Sequence, residues 1–180
     1  MKKYVSKVLS ILFAFAFFQS SSLYAQAPAD SAGLQALRAL EGNWSGSTYK
    51  HQGERVWAEE SDVVVTYKVT GGRSAVVETL FPGTPSEMTT VYHDDPDGAL
   101  VMTHYCNARN QPKMELVSFE NNRFEFKLAP DADIDTAHEH HAHELIIAIG
   151  EDGSLQHDWT NHNMGQAADL RNIKLVRLAE

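Results

Sequence analysis

The chain has 180 residues, 43% of them hydrophobic, and its 24 acidic and 15 basic side chains give a formal net charge of −9. A surface that acidic repels phosphate backbones, which argues against nucleic acid as a partner. The single cysteine, Cys106, excludes an internal disulfide and reads as a small buried hydrophobe.

Taken in chain order, Lys2, Lys3 and Lys7 precede an apolar run over 8–18 and a small, polar stretch ending in Leu23-Tyr24-Ala25. A basic segment, a short apolar core and a small terminal residue predict a secretory signal peptide over 1–25. Cleavage after Ala27 is disfavoured, because Pro28 would follow the scissile bond. The apolar run falls short of the roughly 20 residues that span a bilayer. Cys106 is too far along the chain to carry a lipid at the cleavage site. The expectation is a protein exported to the periplasm or secreted, with no stable membrane anchor after cleavage. Removing three lysines and no acids takes the charge from −9 to −12. About 155 residues then remain, the size of one domain with one core.

Residues 26–30 read as a short tether, and the folded domain is expected over 31–180. Leu34, Leu37 and Leu40 recur every three residues up to Gly42. That predicts a short amphipathic helix capped by Asp30 or Ser31. Beyond Gly42 the period changes to two. Strands are predicted at 43–50, 55–69, 74–81, 87–93, 99–105, 113–118, 123–128, 141–149, 154–160 and 169–178. Turn chemistry separates them, as at Gly71-Gly72, Pro82-Gly83, Asn121-Asn122, Asp152-Gly153 and Met164-Gly165. Short strands with tight connections make an all-β antiparallel meander, closed as an up-and-down barrel or stacked as a sandwich. No helix of crossover length is present to build a parallel sheet. The acidic stretch 129–139 is the longest irregular one and suits a loop at a barrel mouth.

In "LEGNWSGS", Gly42, Trp44 and Gly46 follow the helix directly. A glycine, a spacer and a tryptophan there resemble the opening motif of lipocalins and wider calycins, in which the indole packs beneath the helix. The segments "ETLFPGTPSEM" and "VYHDDPDGALVMTHYCNARNQPKM" add Glu78, Phe81 to Glu87, Tyr92-His93, His104-Tyr105-Cys106 and Asn110 to Met114. With His141-Ala142-His143 and Asp158-Trp159-Thr160, they resemble a bacterial family of exported lipocalin-like domains, largely uncharacterised. The resemblance runs from about Leu40 to Arg177. It implies a calycin-like barrel of eight to ten antiparallel strands with a short N-terminal helix over one end. The chain departs from the family at Ser86, where a histidine is common, and at Asn161, where a second aromatic is common.

Two motifs are excluded on chemistry. "PGTP" is a turn rather than a phosphate cradle, because Pro85 offers no N–H and no helix follows. "HEHHAHELIIAIG", from His138, fails as a zinc-protease helix, because Ala142 stands where the second histidine is required. Read as a strand, it places His141, His143, Leu145, Ile147 and Ile149 on one face, which is expected to point inward, with His138 and His140 in the loop before it.

Barrels of this size either fill with side chains or hold one small ligand. Interior histidines are too polar for plain filling, so a small-molecule partner is expected, with His104, Tyr105, His141, His143 and Trp159 as its polar lining. His157 and Asn161 share the face of Trp159. The second reading is a metal-dependent barrel enzyme. His104, His141 and His143 would hold zinc or iron, with Glu78 or Glu87 as general base on a bound water. Against it stands a metal-free cavity in which these histidines bond to Tyr92, Tyr105, Glu78 or Trp159. A haem site is weaker still, since no proximal histidine near the C-terminus matches.

Overall fold

Alternation with a period of two organises the chain. In the strand Ala75–Leu80, for example, Val76, Glu78 and Leu80 are buried and the residues between them are not. The computed structural model describes residues 30–179, without the side chains of 58–62. The expected signal peptide and all of the tether except Asp30 lie outside the described residues. Helix α1 (Ala32–Arg38) is followed by β1 (Gly42–Gln52), β2 (Arg55–Thr70), β3 (Ala75–Leu80), β4 (Met88–Asp94) and β5 (Leu100–Tyr105). Then come β6 (Lys113–Glu120), β7 (Arg123–Leu128), β8 (His141–Ile149), β9 (Leu155–Asn163) and β10 (Gln166–Arg177). Each strand pairs antiparallel with its sequence neighbour. β1 also pairs with β10, from Trp44 opposite Arg177 to His51 opposite Leu170, and closes the barrel. Closure decides against a sandwich.

All ten expected strands form. The largest difference lies in the last hairpin, where β9 and β10 extend almost to each other. Met164 (φ 50°) and Gly165 (φ 74°) are both left-handed. Two such residues make a tight hairpin turn whose twist matches the strands it joins.

The helix seals one end. Ser31 caps it, its Oγ accepting from the Leu34 N–H at 3.0 Å. The Ser31 N–H and hydroxyl both donate to Asp94, each at 2.7 Å, which ties the cap to the end of β4. Leu34, Leu37 and Leu40 are buried, and each such side chain contributes roughly 1.5–3 kcal/mol. The Trp44 indole N–H donates to the Leu40 carbonyl at 2.9 Å. The Arg177 guanidinium lies 4.4 Å over the indole ring and donates to the carbonyls of Ala39 and Glu41. A cation there satisfies two carbonyls of the turn that follows the helix and sits at the negative end of its dipole. With Val65, Val76, Met102, Phe124, Phe126, Leu145 and Ile147 filling the middle, the polar interior is confined to one belt and the opposite end.

Candidate functional site

Strand register builds the polar belt. Tyr67 lies opposite Glu78, Glu78 opposite Thr90, and Thr90 opposite His104, so four neighbouring strands carry inward polar groups at one level. All four are buried. The Glu78 carboxylate accepts from the Tyr92 hydroxyl at 2.6 Å and the Tyr67 hydroxyl at 3.0 Å. From the opposite wall, His157 brings Nε2 to 2.8 Å from the Tyr67 hydroxyl. Its Nδ1 stands 3.4 Å from Glu78 Oε1 without forming a hydrogen bond to it. Burial, and then the Glu78 charge, push both tyrosines well above their usual range. Burial also lowers His157, against the pull of Glu78.

The belt ends in a cavity. His104 Nδ1 is 2.9 Å from Thr90 Oγ1, which leaves Nε2 as the ring nitrogen free for another partner. Burial lowers its pKa to about 4, so the ring is neutral at ordinary pH. The Trp159 ring lies 4.5 Å from the His104 ring. Both line a cavity of about 110 Å³ at the end away from the helix, with Leu80, Phe81, Met88, Ala142, Asn161, Arg171 and Ile173. The Trp159 indole N–H is buried without a partner. Leaving such a donor unsatisfied costs roughly 1–3 kcal/mol.

Cys106, Asn107 and His140 complete the lining. Cys106 is only partly buried, not the core hydrophobe expected. Phe81, at φ 55°, turns its buried ring over the cavity. The loop after it is the expected turn, with the Thr84 N–H on the Phe81 carbonyl and the Gly83 N–H on Glu87. Glu87 is thereby tied to its own loop, and Glu78 to the belt. Tyr105 is 51% exposed and does not line the cavity.

The histidine segment departs most from expectation. Ala142 pairs with Asn161 and Glu144 with Thr160, so His143 is the extra residue of a β-bulge. The bulge reverses the alternation. Leu145 and Ile147 face inward as expected, but before the bulge the inward residues are His140 and Ala142. His141 therefore points to the outer face together with its partner His162, and His143 joins them. His143 stacks on His162 with ring centroids 3.8 Å apart and planes 9° from parallel. His141 Nε2 is 3.1 Å from His143 Nδ1, and His141 Nδ1 meets the Glu139 carbonyl at 2.9 Å. Burial is the main cause lowering the pKa of His143 and of His162, and the neighbouring imidazoles add to it. His138, by contrast, pairs with Asp135 on the loop. The four histidines thus serve a loop, a cavity rim and an outer wall.

Among the described residues, His141, His143 and His162 form the group whose donor atoms lie within 4.8 Å of one another, a set that can hold a metal ion. His162 takes the place expected of His104, which belongs to the cavity instead. The sequence reading missed His162 and Thr90. Counting back from the Asp152-Gly153 turn puts position 162 opposite 143, two residues from its true partner His141, so the hairpin did carry a signal. No protein-family model matches the chain, and no curated protein matches its sequence.

Proposed function

We propose that the protein is an exported, calycin-type barrel that binds a small, partly polar molecule in the cavity between His104 and Trp159. The observation that carries this reading is the Trp159 indole N–H, buried without a partner on the lining. Beside it stands the neutral His104 imidazole, its Nδ1 engaged by Thr90. An unpartnered indole N–H and a neutral imidazole on residues of one mostly apolar lining suit a neutral group that can both accept and donate, such as a primary amide or an undissociated carboxylic acid. A cavity of about 110 Å³ admits a ligand of about one ring or less, since a 150 Å³ cavity takes benzene. The seal of α1, Trp44 and Arg177 supports the calycin kinship, and the basic, apolar N-terminus supports export.

The test is a titration with propionamide and with 2-methylbutane, following the Trp159 indole N–H resonance by NMR. Propionamide should move that resonance, and 2-methylbutane should bind more weakly. Trp159→Phe should weaken propionamide about tenfold, the worth of one hydrogen bond. Equal affinity for both compounds, or an unmoved resonance, would sink the reading.

A further inference from the structure

The geometry points to a second, separate site: a divalent transition-metal ion of the zinc class held on the outer wall by His141, His143 and His162. Three features argue for it. The first is spacing. Two nitrogens 2.0–2.1 Å from one tetrahedral ion stand about 3.4 Å apart, and His141 Nε2 and His143 Nδ1 are already 3.1 Å apart. The donor atoms of all three rings lie within 4.8 Å, and a small swing of the partly exposed His162 closes the remainder.

The second is orientation. The Glu139 carbonyl accepts from His141 Nδ1–H, so Nε2 of this fully buried ring presents a lone pair. A backbone carbonyl on the far nitrogen is how metal-binding imidazoles are commonly held. His143 now donates its Nδ1 proton to that lone pair. Shifting the proton to its Nε2, with no net release, frees both nitrogens for one ion.

The third is the bulge. It places consecutive side chains, His143 and Glu144, on the same face, so that the Glu144 charge acts on both His143 and His162. That carboxylate offsets part of the charge of a dication. Three protein nitrogens leave a tetrahedral ion one open position, which water can take.

This site does not depend on the cavity reading, because Ala142 and Asn161, the residues between its ligands, are what face the cavity. The test is calorimetric titration of the untagged protein with zinc chloride, with Co²⁺ absorption as a second readout. One ion per chain is expected, with the visible bands of a four-coordinate cobalt site. His162→Ala should weaken binding by at least about 100-fold, the upper range for losing even an outer partner of a metal ligand. His138→Ala, on the loop, should bind as the parent does. His141 is fully buried, and replacing it puts folding at risk; His162→Ala, checked for native circular dichroism, keeps the test decisive. Retention of zinc by His162→Ala, its loss in His138→Ala, or no stoichiometric binding by the parent would each overturn the assignment.

Discussion

The inner belt and the outer wall use the same residue type under opposite constraints. Inside, His104 and His157 are enclosed, and each sends a ring nitrogen to a side chain on another strand. Outside, His141, His143 and His162 face mainly one another, and only His141 is fully buried. The belt comes from register, in which four strands bring one polar residue each to a common level. The wall comes from a break in register. A belt of that kind is expected to support the fold, whereas the partly exposed His143 and His162 of the wall can be altered at little structural cost. The largest effect should therefore follow from removing the hub of the belt. Glu78→Ala takes the shared acceptor from the buried Tyr67 and Tyr92 hydroxyls and, at about 1–3 kcal/mol for each, should lower unfolding free energy by about 2–6 kcal/mol in urea titrations. A loss below about 1 kcal/mol would show that the belt is not a structural unit.

Acid should separate the regions next. His104 has its folded pKa lowered to about 4, against 6.5 for the unreinforced group, because it is buried. The unfolded chain then binds the proton more tightly than the folded one. The His104 contribution is complete above pH 6.5 and is lost as pH falls towards 4. Between pH 7 and pH 5 that loss is about 2 kcal/mol. His104→Gln should remove this part of the acid sensitivity and leave the part due to the other lowered histidines. Parallel stability–pH curves for parent and variant would contradict the assignment.

The barrel was legible because period-two patterning and turn residues are local signals, and all ten strands were found that way. The cavity was partly legible for the same reason. Met102, His104 and Cys106 alternate on one strand, and Trp159 and Asn161 on another, and neither strand is interrupted there. The facing of His141 and His143 was not legible. It depends on one extra residue in β8, and no single-strand pattern distinguishes a bulged strand from a regular one. Tyr105 failed differently: it neighbours His104 in sequence, but adjacent residues on a strand take opposite faces, and it is exposed. Thr90 lacked any signal of its own, since its role comes from standing opposite both Glu78 and His104.

Zinc should sharpen the contrast on the outer wall. At 100 times the dissociation constant, an ion bound only by the folded state adds about 2.7 kcal/mol to stability. That gain, read as a shift in the unfolding midpoint, is expected for the parent and for His104→Gln alike, because His104 lies on the cavity side. His162→Ala should show none of it.

The smallest effect is the most discriminating one. Without metal, His162→Ala removes a partly exposed ring whose contacts are a stack on His143 and an approach to His141. Surface substitutions away from buried networks fall within about 0.5 kcal/mol, and that is the change expected in chelator-treated protein. The stack itself brings two imidazoles face to face, each with its pKa already lowered by burial and by its neighbours. Removing His162 relieves that crowding and should let His143 titrate closer to its usual range, visible in the NMR titration of its ring protons. A destabilisation of several kcal/mol would mean that the outer histidines, like the inner ones, are part of what holds the barrel together. A near-neutral change would mean that their grouping is not explained by folding, which is the condition a binding site on this wall requires.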